Sequence, residues 1–263
     1  MASKELRVAI LGAGGRMGKT LLTALEEIPG AVLSGAAESA GSPSLGQSVR
    51  SATITSDLAQ ALRGATVAID FTVPQATQDN VNACVAAGCP LVLGTTGHDE
   101  VAREKIAAAA QRIPLVMAPN MSLGVNLLLK LAELTAKSLD AEYDIEIFEA
   151  HHRHKKDSPS GTALGLGEAV AKGRGVAFKE VAEYARHGVT EPRRKGAIGF
   201  SVFRGGDVIG DHTVTFAGIG ERIELTHRAS DRMAFARGAL KAAQWLVSQP
   251  PGLYSMQDVL GLK

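Results

Sequence analysis

The 263-residue sequence has little cysteine, almost no net charge and no long apolar run, and each shortage excludes a class of protein. Two cysteines, Cys84 and Cys89, exclude a disulfide framework and are typical of a chain in a reducing cytosol. There are 28 lysines and arginines against 27 aspartates and glutamates, so no net positive field exists to hold nucleic acid or an anionic membrane. We therefore expect an anionic partner to be a small molecule that binds at a local cluster of cations.

A long uncharged stretch in the middle of the chain is too short and too polar to span a bilayer. It runs from Leu115 to Leu129 and contains Pro119, Asn120 and Asn126. Hydrophobic residues make up 45% of the chain, which is enough for a packed core and excludes global disorder. These features predict a folded, cytoplasmic protein with no membrane segment.

Short apolar runs alternate with helical patterns over the first half of the chain. We predict strands at residues 6–11, 32–37, 66–71, 91–93 and 115–117. Helical patterns lie between them, at residues 15–28, 74–87 and 99–111. Strands that alternate with helices of this length are typical of an α/β fold with a Rossmann-type, doubly wound parallel sheet. We assign this sheet to a first domain, residues 1–122.

The pattern changes after Asn120. We predict, in order, a helix at 124–139, a strand at 143–148, a histidine-rich loop, a helix at 161–172, a loop at 173–196, strands at 198–204, 207–216 and 222–227, and a last helix at 232–247. Glycine turns separate the last three strands, so we expect these strands to follow one another in a mixed or antiparallel sheet. The basic residues 193–195 are expected to lie in a solvated loop. The sequence therefore predicts a second, α+β domain over residues 123–231.

A glycine-rich turn joins the first predicted strand to the first predicted helix. Its residues are Gly12, Ala13, Gly14, Gly15, Arg16, Met17 and Gly18. Glycines let the backbone approach a pyrophosphate closely, and the N–H groups at the start of a helix favour its negative charge. The spacing is G-x-x-G-x-x-G rather than the common G-x-G-x-x-G, because Met17 occupies the third glycine position. A purely structural turn is the alternative, but the place of the turn after the first strand favours dinucleotide binding.

Glu38 supports that interpretation. It follows the second predicted strand, 20 positions after Gly18, where an acid can bond the adenosine ribose hydroxyls. An ordinary exposed glutamate is the alternative. Ser39 comes next, so the arginine that usually binds a 2′-phosphate is missing there, although Arg16 can supply some charge. We therefore predict that NADH is used at least as well as NADPH.

Two further loops follow predicted strands at the edge where open α/β sheets bind ligands. One contains Gly94, Thr95 and Thr96, and the other contains Ala118, Pro119, Asn120 and Met121. Ordinary turn chemistry is the alternative. Together with the glycine turn, these loops are candidates to contact the nicotinamide end of the cofactor.

The densest group of titratable side chains is a run of six potential cations at residues 151–156, which includes three of the seven histidines. A solvated basic loop is the alternative for the lysines and the arginine, but histidine suits proton transfer near neutral pH. His152 and His154 would share one face if the preceding strand continued, and two ligands can begin a zinc site. No cysteine or second histidine pair completes it, and the neighbouring cations would repel a divalent ion. We therefore predict no metal.

The positive charge of this run favours an anionic substrate. Ser160 is suited to cap the helix that follows, and the N–H groups of Gly161 and Thr162 with the Thr162 hydroxyl can hold a carboxylate. A capped helix after a proline loop is a compatible alternative. A histidine, a lysine and a helix N-terminus within about a dozen residues can thus bind carboxylates and supply a proton.

These segments together resemble the family of 4-hydroxy-tetrahydrodipicolinate reductase, also called dihydrodipicolinate reductase, of the diaminopimelate route to lysine. The resemblance spans essentially the whole chain and is most specific at residues 146–163, with His-His-Arg-His-Lys and Pro-Ser-Gly-Thr-Ala. It implies that NADH or NADPH reduces a cyclic dicarboxylate imine, formed by loss of water, to tetrahydrodipicolinate. A different Rossmann reductase of an anionic imine or carbonyl, and a non-catalytic NAD(H) sensor, are the alternatives.

The resemblance also implies roles for single residues. His151 looks like a proton donor and acceptor and Lys155 like a proton donor, while His152, Gly161 and Thr162 look like substrate contacts. Residues 12–17, Glu38, residues 94–96 and residues 118–121 look like cofactor contacts. The family further implies a homotetramer built through sheets of the second domain, and a C-terminal helix within residues 232–263 that completes the nucleotide domain. Ser39 is a departure, because many members carry arginine there.

Overall fold

The computed structural model describes residues 5–262, which form two compact units. The first contains the described residues 5–123 and 232–262, and the second contains residues 124–231. Residues 1–4 and 263, which the predicted domain ranges include, lie outside the described residues. Among the helices described, none is both long and apolar enough to cross a membrane.

Strands and helices are numbered separately, each in chain order. The strands are β1 (Leu6–Leu11), β2 (Ala31–Ala37), β3 (Ser48–Val49), β4 (Ala52–Thr55), β5 (Val67–Asp70), β6 (Leu91–Leu93), β7 (Pro114–Met117), β8 (Asp144–His151), β9 (Ala182–Glu183), β10 (Ile198–Arg204), β11 (Gly210–Ala217), β12 (Arg222–Ala229) and β13 (Gly252–Tyr254). The helices are α1 (Arg16–Ala24), α2 (Leu58–Leu62), α3 (Pro74–Ala87), α4 (Glu100–Ala110), α5 (Leu123–Ser138), α6 (Gly161–Arg174), α7 (Phe178–Val181), α8 (Met233–Leu246) and α9 (Met256–Val259).

The first unit contains an eight-stranded sheet in the order β13-β7-β6-β5-β1-β2-β4-β3. Neighbouring strands are parallel, except that β3 pairs with β4 in antiparallel fashion. The chain builds outward from β1 through β2 to β4 and then returns to β5 on the other side of β1. The strand order therefore reverses between β1 and β5, which is where doubly wound sheets bind ligands. The predicted Rossmann-type fold is confirmed.

Strand β1 is buried on both faces, which explains its continuous apolar sequence. Val8 and Ile10 pack into one core with α1 and α8, and Ala9 and Leu11 pack into a second core with α3 and α4. All four side chains are at most 1% exposed. Burial of this extent stabilises the fold by about 1.5–3 kcal/mol for each large aliphatic side chain, and it fixes the carboxyl end of β1 at the centre of the sheet.

Two parts of the first unit differ from the predictions. The last helix was predicted at residues 232–247 and is present as α8, but the rest of the range 232–263 also contains β13 and α9, which were not predicted. Pro250 and Pro251 stand between α8 and β13, and proline has no N–H to continue a helix. Residues 48–62, for which no element was predicted, form β3, β4 and α2, and elements this short show no clear hydrophobic period.

The second unit contains a five-stranded mixed sheet in the order β12-β11-β8-β10-β9. Strand β11 is antiparallel to both neighbours, whereas β10 is parallel to β8 and β9. Helices α5 and α6 pack on one face of this sheet, where Leu128, Leu166 and Val170 meet Ile147 and Phe216. The predicted α+β character with a mixed sheet is confirmed.

Strands β10 and β11 follow one another in the chain across the predicted glycine turn, but they are not neighbours in the sheet. Strand β8 lies between them, and the chain after β10 crosses the end of β8. The Gly205 N–H donates to the His151 carbonyl at 3.0 Å, and the Arg153 N–H donates to the Gly206 carbonyl at 3.3 Å. Side chains of both β10 and β11 therefore lie beside the last residues of β8.

The segment 173–196, predicted as a loop with residues 193–195 solvated, is held to the sheet by Arg193. Its guanidinium donates to the carbonyls of Ile145 and Ala197, both at 2.7 Å, and pairs with the carboxylates of Asp144 and Glu146. Only 16% of the Arg193 side chain is exposed. The segment also contains α7 and β9. Arg193 is thus a structural residue, and the prediction of a solvated side chain is wrong for it.

Candidate active site

The glycine turn connects the carboxyl end of β1 to the start of α1. Gly12 has a φ of +84°, a left-handed conformation that favours glycine. The N–H groups of Gly12 and Ala13 both donate to the Ala37 carbonyl, at 2.9 and 3.0 Å. These bonds hold the turn against the end of β2, and helix α1 begins directly after Gly15. The N-terminus of a helix is therefore presented at the point where the strand order reverses.

Glu38 follows β2 and its carboxylate contacts the glycine turn. Its Oε1 atom accepts the Gly14 N–H at 2.8 Å, and its Oε2 atom accepts the Ser39 N–H at 3.2 Å. Glu38 also lines a cavity of about 560 Å³ together with Gly12 and Gly15. The acid predicted to bond a ribose thus lies beside the turn predicted to hold a pyrophosphate. Ala13 and Gly14 belong to the same turn and Arg16 and Met17 begin α1, and none of the four lines the cavity.

The lining of this cavity is mostly apolar, and its charged residues are acids. Leu58, Val73 and Ala76 contribute apolar side chains, while Glu38 and Asp79 are the charged residues among the described residues that line it. An apolar cleft with a few polar groups suits an adenine ring and a ribose. The residues present therefore fit the adenosine part of a nicotinamide dinucleotide.

A buried carboxylate that sequence reasoning did not assign holds the neighbouring loops. Asp70, at the end of β5, is 0% exposed. Its Oδ1 atom accepts the Thr72 N–H at 2.8 Å and the hydroxyls of Thr72 and Thr95 at 2.7 and 3.0 Å. Its Oδ2 atom accepts from the Asn80 side chain at 2.9 Å. A charged residue at the end of a fully apolar strand was the available sequence signal.

The two other predicted cofactor loops lie at the same edge of the sheet. Residues 94–96 follow β6, and a Cβ atom added to Gly94 would lie 2.4 Å from the Phe71 ring. Residues 118–121 follow β7, where Ala118 and Met121 are buried. Neither loop lines the cavity, because β6 and β7 are two and three strands away from β1. The structure thus brings Gly12, Gly15 and Glu38 into one cavity and places the other residues along the adjacent strand ends.

In the second unit, the end of β8 carries a buried pair of side chains. His151 is 8% exposed and Glu149, two positions earlier on the same face, is 0% exposed. The Nδ1 atom of His151 lies 2.5 Å from Glu149 Oε2. Arg204, the last residue of β10, donates to both Glu149 oxygens at 2.7 and 2.8 Å, and the Ser160 N–H donates to Oε1 at 3.0 Å.

These contacts keep Glu149 ionised. Burial raises the pKa of the Glu149 carboxyl, but hydrogen bonds from His151, Arg204 and a backbone N–H outweigh it and lower the pKa to about 2. Since this pKa lies below the ordinary value of 4.5, ionised Glu149 stabilises the fold above pH 4.5, and that stabilisation is lost as the pH falls toward 2. An ionised carboxylate only accepts, so the Nδ1 atom of His151 carries the proton of this hydrogen bond.

His212, which the sequence shows as isolated, packs against His151. The two ring centroids are 5.1 Å apart in an edge-to-face arrangement, and His212 Nε2 lies 3.2 Å from the Ser160 hydroxyl. Burial and then the neighbouring His151 lower the pKa of His212 to about 3, so this ring is neutral at physiological pH. The antiparallel register of β11 with β8, which pairs His212 with Glu149, brings it there.

The remaining predicted residues follow His151 in the chain. Lys155 Nζ lies 2.9 Å from Asp157 Oδ1. The Ser160 hydroxyl accepts the Ala163 N–H at 3.2 Å, which confirms Ser160 as the cap of α6. Gly161 and Thr162 are the first two residues of α6. The ring centroid of His152 lies 6.2 Å from that of His154, so these two imidazoles are neighbours beyond the end of β8.

Comparisons with known proteins match almost the whole chain. Residues 6–121 match the family model of the dihydrodipicolinate reductase N-terminus, and residues 124–260 match that of the C-terminus. The chain is 55% identical to the 4-hydroxy-tetrahydrodipicolinate reductase of Thiobacillus denitrificans, over 98% of this chain and 100% of that protein. It is 51% identical to the enzyme of the same name from Hahella chejuensis, over 98% and 99%.

A solved structure shows the same fold. The dipicolinate-bound dihydrodipicolinate reductase from Paenisporosarcina sp. TG-14 superimposes with a TM-score of 0.78. The match covers 96% of this chain and 98% of that one, at 23% sequence identity. At 23% identity the similarity to this structure supports only the fold. The activity is supported by the relatives that are more than 50% identical to this chain.

Proposed function

The chain belongs to the dihydrodipicolinate reductase family, and on that premise we propose how the residues described above carry out the reaction. It is an oxidoreductase that reduces 4-hydroxy-tetrahydrodipicolinate, through the cyclic imine left by loss of water, to tetrahydrodipicolinate. This reaction is a step of diaminopimelate and lysine biosynthesis, and it uses a nicotinamide cofactor. A Rossmann reductase of a different anionic imine or carbonyl, the alternative interpretation, has no support among these relatives.

The observation that carries the proposed mechanism is the buried Glu149–His151 pair at the end of β8. The nicotinamide cofactor, when bound, supplies the hydride. Reduction of the conjugated ring leaves an electron-rich enamine, which must take up a proton on carbon. His151 donates that proton from Nε2, because Glu149 holds its Nδ1–H. A positioned cationic acid of this kind both stabilises the developing charge and delivers the proton.

Lys155 and the start of α6 bind the dicarboxylate and complete the proton supply. The ammonium of Lys155 is the second proton donor, and a substrate carboxylate would favour its charged form. Gly161 and Thr162 offer the N–H groups of a helix N-terminus to the other carboxylate, and His152 is a further substrate contact. A small dicarboxylate therefore meets a local cluster of cations in a chain with a formal charge of +1.

The test is a spectrophotometric assay of NADH oxidation, with the substrate made in place by the preceding synthase. We expect NADH to be consumed only when that synthase and its substrates are present. Consumption that continues without the synthase would indicate a different substrate, and no consumption with it would contradict the proposed reaction.

We propose that residues 12–17, Glu38, residues 94–96 and residues 118–121 hold the cofactor, and that NADH is used at least as well as NADPH. The support for NADH is the charge of the cavity, whose charged lining residues are the acids Glu38 and Asp79. A 2′-phosphate would meet these acids, whereas the two ribose hydroxyls of NADH can donate to Glu38. A strong NADPH preference in initial-rate kinetics would contradict this.

Replacing Ser39 with arginine should shift the enzyme toward NADPH. Ser39 lines the cavity beside Glu38, and an arginine there can form charge-assisted hydrogen bonds with the 2′-phosphate. We expect the ratio of kcat/KM for NADPH to that for NADH to rise about tenfold, which corresponds to one such bond. Ser48→Arg is the control, because it adds the same charge at an exposed serine outside the cavity lining. An equal shift in both variants would indicate a general charge effect.

We propose a homotetramer built through the sheet of the second unit. The face of that sheet opposite α5 and α6 exposes two aromatic side chains, Phe148 on β8 and Phe203 on β10, at 44% and 48%. Phe148→Glu should therefore give a smaller species by light scattering after gel filtration, because it places a charge in an apolar contact. Val101→Glu, at an exposed site on α4, is the control and should leave the mass unchanged. A Phe148→Glu protein with the wild-type mass would contradict the proposed interface.

We also propose a cytoplasmic location, which the state of the two cysteines supports. Cys84 and Cys89 are free and buried. Burial raises the pKa of the Cys84 thiol well above its ordinary value and that of Cys89 to about 12. Protonated, buried thiols are unreactive and suit a reducing compartment.

A further inference from the structure

Arg204 contacts two parts of the second unit through one guanidinium group. Its Nη1 and Nη2 atoms donate to the two oxygens of Glu149, at 2.8 and 2.7 Å. Its Nη2 atom also donates to the backbone carbonyl of Asp157, at 2.6 Å. Arg204 is therefore joined both to the carboxylate that holds His151 and to the loop that carries Lys155. Only 19% of its side chain is exposed.

The contact with Asp157 continues to the second proton donor. The Asp157 side chain pairs with the Lys155 ammonium at 2.9 Å. A continuous series of contacts thus runs from the His151 imidazole through Glu149, Arg204 and Asp157 to the Lys155 amine. Glu149 and Arg204 lie inside this series, whereas the two ends are the groups that we propose to donate protons.

The charges around His151 explain why both Glu149 and Arg204 are needed. Glu149 faces it from β8, Arg204 from β10 and the neutral His212 from β11, while Lys155 and Asp157 come from the loop that follows. If Glu149 had no cation of its own, it would hold the His151 proton strongly and oppose its release. Arg204 balances the Glu149 charge in both protonation states of His151, so the carboxylate can orient the imidazole and still let the Nε2 proton leave.

We propose that Glu149 and Arg204 are positioning residues for the reaction: they fix the orientation of the His151 ring, set the readiness with which it gives up its proton, and hold the Lys155 loop against the same strand end. This inference rests on the proposed function, because it assumes that His151 and Lys155 are the acids. Neither Glu149 nor Arg204 is assigned a contact with substrate or cofactor.

The proposal predicts that changes to the two residues move the pH dependence of kcat in opposite directions. Glu149→Gln removes the anion that stabilises the imidazolium, so the decline of kcat at alkaline pH should begin at lower pH. Arg204→Met leaves Glu149 without its balancing cation, so that decline should begin at higher pH. Both variants should also lower kcat, by about 10-fold or more, because a misplaced acid works poorly. A merely structural role would not produce shifts of opposite sign.

Two binding measurements show whether the variants are intact. NADH affinity reports on the first unit, and affinity for dipicolinate, used as an unreactive dicarboxylate, reports on substrate binding. We expect both to change less than about threefold, since neither residue is placed at a ligand. Arg204→Lys and the double variant Glu149→Gln/Arg204→Met cover the case in which a single change prevents folding, because neither leaves a buried charge wholly unbalanced. In the double variant, which lacks both charges, the decline of kcat should begin between that of the wild type and that of Glu149→Gln.

Arg186→Met is the matched control. Arg186 also contacts both oxygens of a β8 carboxylate, that of Glu146, at 2.5 Å, but Glu146 faces the opposite side of the sheet from Glu149. Arg186→Met should therefore leave the pH dependence of kcat unchanged. Unchanged profiles in Glu149→Gln and Arg204→Met would overturn the proposal, and so would a large loss of dipicolinate affinity in Arg204→Met, which would make Arg204 a substrate contact. Wild-type turnover in His151→Ala would instead overturn the proposed function itself.

Discussion

His151→Ala is expected to lower kcat by about 10²-fold or more, the usual scale for a lost general acid. The imidazole is nearly buried and its Nδ1 is held by the ionised Glu149, so bulk water does not readily replace it as an oriented acid. NADH affinity should barely change, because the glycine turn and Glu38 lie in the first unit. Steady-state kinetics with the coupled synthase, together with NADH titration, check both parts of this expectation.

Lys155→Ala should lower kcat on the same scale, since it removes the second proton donor and a charge that attracts the dicarboxylate. The chain provides two matched controls within the same basic run. His154 and Lys156 are exposed, and their replacement by alanine should leave kcat nearly unchanged. Wild-type turnover in either His151→Ala or Lys155→Ala would discard the assignment. Equal losses in the two controls would mean that the whole run acts through its charge.

Features that depend on neighbours in the chain were predicted well. Helix α3 has the predicted bounds, because Pro74 suits the first turn of a helix and Gly88 takes the left-handed conformation just after its end, with a φ of +59°. The cap at Ser160 and the turn after β1 were predicted for similar reasons, since each depends on a few consecutive residues. These local signals placed the glycine turn at the end of β1, whereas His151 was predicted in a loop after a strand that ended at residue 148 and is instead the last residue of β8.

Features that depend on strand register could not be predicted. Arg204 meets Glu149 across 55 positions of sequence, and His212 meets Ser160 across 52. Both contacts require β8 to lie between β10 and β11, whereas the glycine turn after Arg204 suggested that those two strands were neighbours. Single-sequence periodicity shows which residues share a face of a strand, but it does not show which strands pair. The contacts of His151 with Glu149 and His212 and of Glu149 with Arg204 were therefore missed, although His151 itself was predicted as a site residue.

Gly18→Ala is expected to destabilise the first unit and weaken cofactor binding together. A Cβ atom at this position would lie 2.1 Å from the Gly12 carbonyl oxygen and 2.7 Å from backbone atoms of Ala13. These are backbone atoms of the turn that we propose to hold the pyrophosphate, so relief of the clash must move either α1 or the turn. We expect a loss of about 3 kcal/mol in the free energy of unfolding, or a fall in Tm of about 6–12 °C.

The affinity for NADH distinguishes the expected effect of Gly18→Ala from that of a general packing defect. Because the displaced atoms belong to the turn at the end of β1, NADH affinity should fall by about tenfold or more even at temperatures where the variant is fully folded. Gly41→Ala is the matched control: it lies in the same unit, its added Cβ would meet no atom within 4 Å, and it should leave both Tm and NADH affinity unchanged. A stable Gly18→Ala protein with wild-type NADH affinity would show that the turn adapts to a side chain, and the close approach of α1 to Gly12 would then not be required for binding.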